Sequence, residues 1–323
     1  MKSVQNLLSE PPTSRFQRAS SVHIGREDYA SVLLRLIGME LYKIRRRTMS
    51  KVLSIISITA TLGLFLLIAL AAMLTRNGAS AEQLRSFTEA LRLPTSLALI
   101  VQLLNTLGQI LIIILASTVV GGEYTSGTIR LMLTRGPTRT QLLLSKLGAA
   151  GVCIVLGVIG VTLLGILTGL LLNISTGITQ SFDFFSAAWL GHFLLCLLVV
   201  MLGLFMYAAM ALCLSTLGRA TAAGIAGVLT WSFLIEPAVE VISSFGRNIS
   251  GPTGAFFQAL PDYLIGPNIS ALVQNQERYL FPSLSNLQTP APSDLHALLV
   301  LAVYLALLIG LACWVSVRRD ITN

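Results

Sequence analysis

Six long apolar runs, each bounded by polar or charged residues, dominate the chain: approximately Lys51 to Leu74, Leu97 to Val120, Leu142 to Leu172, Ala187 to Leu214, Ala222 to Ile242 and Leu295 to Val317. Each reaches the ~20 residues that a helix needs to cross ~30 Å of hydrocarbon, so the pattern predicts six transmembrane helices. An even number of crossings brings the C-terminus back to the side of the N-terminus. From Tyr29 to Arg47 the pattern is instead that of an amphipathic helix. Tyr29, Val32, Leu33, Leu36, Ile37, Leu41 and Ile44 share one face, while Arg35, Glu40, Lys43, Arg46 and Arg47 mostly face away. A helix of this kind lies in the membrane interface. Residues 1–28 are polar, without the apolar core and small-residue cleavage site of a secretory signal, and are expected to form a loosely held tail. Residues 29–323 then make a single transmembrane domain.

Three polar stretches punctuate the runs. Leu214 to Thr221 is short and basic through Arg219, which predicts a tight antiparallel pair of spans four and five. Ser243 to Ser293 carries Pro252, Pro261, Pro267, Pro282, Pro290 and Pro292 among apolar pieces and is too broken to be a span. Gly121 to Arg139, GGEYTSGTIRLMLTRGPTR, separates spans two and three. Gly121 and Gly122 are expected to end span two, and Gly127 with Thr128 to turn and cap a short helix over about Ile129 to Leu133. Gly136 and Pro137 stop that helix. Thr138 and Gln141 have capping-box spacing, which starts span three there with Arg139 facing water.

Composition agrees with this layout: 54% of residues are apolar, 11% are charged, and the mean hydropathy is +0.79. The net charge of +8 does not indicate nucleic acid, because the basic residues form no recognition face with interleaved aromatics. They divide by side of the membrane. On the predicted topology 17 of the 22 Lys and Arg fall on one side, which by the positive-inside rule is the cytoplasm and holds both termini.

The order Glu123, Tyr124, Gly127, Thr128, Arg130, Arg135, Gly136, Arg139, Lys146 resembles the permease subunits of ABC exporters of the type-two class. In that class an equivalent G-E-Y-x-x-G-T-x-R segment sits at the cytoplasmic mouth and contacts the ATP-binding subunit. The run E-L-Y-K-I-R-R-R, Glu40 to Arg47, resembles the amphipathic elbow that precedes the first span. The resemblance implies an all-α membrane protein with re-entrant outer helices between spans five and six, where L-P-D-Y-L-I-G-P resembles one such turn; an ordinary extracellular loop is the alternative. It assigns Glu123, Tyr124, Gly127, Thr128, Arg130 and Arg139 to ATPase coupling, and Glu40, Lys43, Arg45, Arg46 and Arg47 to the elbow. It also implies a cytoplasmic ATP-binding subunit holding ATP and magnesium, a second permease chain in a homodimer or heterodimer, and a place in the cell membrane.

The chain itself has no P-loop, since none of Lys2, Lys43, Lys51 and Lys146 follows a glycine. It is therefore expected to be a transport subunit and not an enzyme, with no cofactor of its own. Ionisable residues inside spans default to a functional reading, and Glu236 and Glu240 lie one turn apart in span five around Pro237. Glu236 falls roughly 21 Å from the inner end at 1.5 Å per residue, which suggests an outer vestibule or gate. Glu240 is near enough to the interface to be simply wet. Glu236 also defines the alternative, an ion-coupled secondary transporter, although the internal repeats usual there are not evident.

His192 and His296 begin spans four and six on the side of these two acids, but nothing in the sequence sets their distances. Cys153, Cys196, Cys213 and Cys313 form no C-x-x-C pair and read as small apolar fillers. Gly165 and Gly169, and Ala223 and Gly227, are small-x-x-x-small pairs suited to helix packing, with a glycine-lined path as the alternative. N-x-S triplets stand at Asn173, Asn248 and Asn268.

Overall fold

The computed structural model describes residues 29–75, 87–126, 138–176, 184–281 and 292–318. Most of those residues are helical, with no strand among them. Helix α1, Tyr29–Arg46, is followed by α2, Thr48–Thr75, α3, Thr95–Thr125, and α4, Arg139–Thr176. Then come α5, Ala187–Gly218, and α6, Thr221–Gly246. Two shorter helices follow, α7 at Pro252–Ala259 and α8 at Ile265–Leu280, before α9 at Asp294–Arg318. Helices α2 to α6 and α9 are the six that are long and apolar enough to cross a membrane. The end of the bundle carrying α1 is called proximal below, and the end carrying α7 and α8 distal.

The bundle is built around α5. Its most apolar window is 67% buried, against 11% for α6 and 17% for α9, and it packs on α3, α4, α6, α8 and α9. The remaining spans turn Leu, Ile and Phe outward, as lipid-facing helices do. Small residues set the close approaches. A Cβ on Gly165 would strike Ile100 of α3, and one on Gly227 would strike Leu214 of α5, so both small-residue pairs serve packing. Cys196 and Cys213 fill buried positions in the same core.

The distal segment does fold back as short helices against the bundle. Proline and Gly251 divide it, and Asn268, fully buried, donates its amide to the carbonyls of Asp262 and Leu264, which secures the turn before α8. Asn268 and Asn173 are both buried and are therefore closed to glycosylation in the folded chain, whereas Asn248 is exposed.

Two sequence expectations change. Span two does not stop at Gly121 and Gly122: α3 runs on to Thr125. A Cβ on Gly121 would fall on the backbone of Thr221, so this glycine is needed for the contact between the ends of α3 and α6 and not for a helix stop. Arg139 is half-buried and does not simply face water. Its Nη1 donates to the Ser316 carbonyl at 2.9 Å and to that of Val317 at 3.4 Å, satisfying the last turn of α9. The capping box itself forms as expected, with Thr138 N–H donating to Gln141 Oε1 at 2.9 Å and Gln141 N–H to Thr138 Oγ1 at 3.3 Å.

Candidate functional site

At the proximal end, α1 lies across α4 and presents Leu36, Glu40 and Ile44, four residues apart, to the bundle. Glu40 is thus on the buried face, 3% exposed, and not on the solvated side that its charge suggests. The reason is a partner set from elsewhere in the chain. Lys43 Nζ lies 2.7 Å from Glu40 and 3.3 Å from Glu123, while Lys146 Nζ lies 2.5 Å from Glu123 and 3.6 Å from Glu40.

Glu123 is 2% exposed and Lys146 6%. Two carboxylates and two ammonium groups therefore neutralise one another where α1, the end of α3 and the start of α4 meet. Burying these ions singly would be prohibitive; as a quartet they compensate one another, and removal of one strands the rest. Ile37 packs where Gly148 leaves room for it, and Lys146 Nζ also reaches the Val119 carbonyl at 3.4 Å.

Arg47, at the break between α1 and α2, donates to the Thr118 carbonyl at 2.8 Å. The elbow is thus fixed to the last turns of α3 from two directions. Arg45 and Arg46 are exposed, with Arg46 stacked over Tyr42. Tyr124 packs against the cluster formed by Val120, Leu143, Leu147 and Ala312. Gly127, Thr128 and Arg130, with the short helix expected at Ile129 to Leu133, lie outside the described residues. Of the coupling set, Glu123, Tyr124 and Arg139 are brought together at this proximal end.

At the distal end a cavity of about 360 Å³ opens between α3, α5, α6 and α8. Pro237 lacks an N–H and cannot sit in an unbroken α-helix, and α6 accommodates it with a π turn at Trp231–Ile235. A second π turn, Leu104–Gly108, interrupts α3 beside it, and Gln109 donates to Ser232 across the gap. Glu236 is 4% exposed. Its Oε1 accepts from Trp231 Nε1 and from the Gly266 N–H, each at 2.8 Å, so that it holds the first turn of α8. A Cβ on Gly266 would strike this carboxylate, so glycine is required there. Glu240 is exposed at the cavity rim. Glu277, from α8, completes the acidic lining, and burial pushes its carboxyl up to about 6.

The histidines do not join these acids. His192 contacts Gln276 at 3.0 Å and stacks on Tyr279, whereas His296 contacts the Asp262 carbonyl at 2.9 Å. Among the described residues no three His, Cys, Asp or Glu converge as metal ligands.

Sequence reasoning missed the pairing of Lys146 with Glu123 and the roles of Trp231, Gly266 and Glu277. A lone lysine at the start of an apolar run was the one local sign available. Gly266 and Glu277 had none, because their partners are on other helices.

The comparison with protein families agrees with this architecture. No curated protein matches the chain. The family described as ABC-2 family transporter protein matches residues 36–235, from the buried face of the elbow through the π turn of span five. With six apolar spans and a match over more than half its length, the chain belongs to the ABC-2 transporter family and is a membrane permease component.

Proposed function

We propose that this permease exports its cargo at the expense of ATP hydrolysed by a separate cytoplasmic ATP-binding subunit, which holds the nucleotide and magnesium. Two permease chains, identical or not, complete the pathway, with the N- and C-termini and the proximal end in the cytoplasm. The observation that carries this reading is the ion-paired quartet of buried Glu40, Glu123 and Lys146 with partly exposed Lys43. It makes one rigid unit of the elbow, the end of α3 and the start of α4, the two helices that flank the coupling segment at Gly121 to Arg139. A push on that segment is then delivered to α3, which lines the distal cavity.

Within this reading Glu123 is a positioning residue, since its carboxylate is spent inside the chain, and Arg130 is the candidate for direct contact with the ATPase. The test is co-expression with the cognate ATP-binding subunit. A stable complex that hydrolyses ATP and moves cargo is expected, with no ATPase activity from the permease alone. Hydrolysis by the lone chain would sink the two-subunit reading.

The burial of Glu236 beside a polar cavity favours a second reading, the ion-coupled alternative. Against it, one oxygen of that carboxylate already takes two N–H donors that anchor α8.

A further inference from the structure

Among the described residues the distal cavity is walled by three carboxylates, Glu236, Glu240 and Glu277, and by no lysine, arginine or histidine. Its other polar lining is neutral, including Gln102, Asn105, Gln109, Ser232 and Gln274. None of the three acids is ion-paired to a described residue. Among the described residues no cation balances the charge of the cavity.

Glu236 sharpens the point. It is 96% buried, as its 4% exposure implies, and both N–H donors converge on Oε1. Oε2 has no hydrogen-bond donor among the described residues, and Glu236 lines the cavity. That oxygen is free to take a charge-assisted hydrogen bond from a cationic donor arriving in the cavity. Tyr207 and Phe233 add aromatic faces to the same wall, suited to a cation with an apolar flank. The volume lies within the ~300–1,000 Å³ typical of small-molecule sites. An anionic cargo would meet like charge. A bare divalent ion would meet no convergent ligand set among the described residues.

We infer that this cavity binds an ammonium- or guanidinium-bearing organic group, with Glu236 as the deep anchor and Glu240 and Glu277 flanking it, and that organic cations are the cargo class of this permease. The second clause rests on the transport role proposed above; the first does not. The group belongs either to a free small molecule or to a Lys or Arg side chain of a peptide, which the test separates.

The full chain is placed in phosphatidylcholine nanodiscs without any ATPase, and binding is measured by equilibrium dialysis. The probes are agmatine, which carries both cationic groups, its uncharged counterpart N-butylurea, and glutarate as an anion. Saturable binding of agmatine alone is expected, with a change in Trp231 fluorescence because its indole N–H is held by Glu236. Glu236→Gln disturbs the anchor of α8 as well, so the double variant Glu240→Gln/Glu277→Gln carries the test: neither carboxylate holds a hydrogen bond within the described fold. It should weaken agmatine about tenfold or more.

Unchanged agmatine affinity in that variant, or equal binding of N-butylurea or glutarate, overturns the inference. An amidated Leu-Arg-Leu-Lys peptide binding tenfold tighter than agmatine assigns the site to peptide side chains, and the reverse order assigns it to small cations. Charge-selective binding without ATP-driven transport in the reconstituted complex would remove the exporter reading and leave the site. Transport with charge-indifferent binding would do the opposite.

Discussion

Glu123 and Lys146 meet at 2.5 Å inside the protein, although one closes the second span and the other opens the third. With Glu40 and Lys43 they form an ion-paired set, and the loss of Lys146 leaves the buried Glu40 and Glu123 with less compensation. Lys146→Met should therefore destabilise the chain by about 3–5 kcal/mol, seen as a lowered thermal midpoint in detergent. The exchange Glu123→Lys/Lys146→Glu should recover part of that loss. A midpoint unmoved by Lys146→Met would show that the quartet contributes nothing.

The burial of Glu123 gives it a part in folding beyond the coupling role it shares with Arg130. Glu123→Ala should lower the folded yield, whereas Arg130→Ala should leave yield intact and cut both transport per folded molecule and pull-down of the ATP-binding subunit. Interface anchors of this kind typically cost about 2 kcal/mol or more on truncation. Arg35→Ala, on the exposed side of the elbow, is the control. Unchanged transport in Arg130→Ala would remove that residue from the coupling contact.

Orientation is tested with two exposed positions at opposite ends of the bundle. A cysteine at Ser250 should react with an impermeant reagent in intact cells, and one at Thr138 only after permeabilisation. External labelling at Thr138 would invert the assignment of the termini.

The energy source is tested at Glu236. If ATP drives transport, collapse of the proton gradient at constant ATP should leave the rate nearly unchanged. Loss of transport under an uncoupler, together with inactivity of Glu236→Gln, would favour the ion-coupled alternative.

Glu277 should impose a pH dependence on stability. Burial raises its carboxyl from 4.5 to about 6, so the folded state favours the neutral acid. Its favourable contribution is complete below 4.5 and is lost as pH rises through about 6. The groups around it, Cys196 in α5 and Glu236 and Glu240 in α6, offer no cation to offset the charge. At pH 8 Glu277→Gln should be more stable than the parent by about 1 kcal/mol after allowance for solvent screening, with the difference closing near pH 4.5. Equal thermal midpoints for the two chains at pH 8 would count against it.

Gly121→Ala and Gly266→Ala should each cost folded protein, since a methyl group at one meets the Thr221 backbone and at the other the Glu236 carboxylate. Gly157→Ala, where nothing lies within 4 Å of the added carbon, should be silent. Normal yield in the first two variants would mean that those helices can separate at little cost.

The six spans, the elbow and the capping box at Thr138 were legible in the chain because each depends on neighbours a few residues apart: apolar length, helical periodicity, and a side chain reaching a backbone N–H three residues on. The same local rules misjudged Gly121, whose role comes from Thr221 a hundred positions away, and Glu40, which faces the core because Lys146 waits there. Hydrophobic pattern sets which segments leave water, and it does so one helix at a time. Which buried charges find partners, and that Gly266 must yield space to Glu236, is decided only when separate helices pack, because Coulombic and steric contacts act across space without regard to distance along the chain.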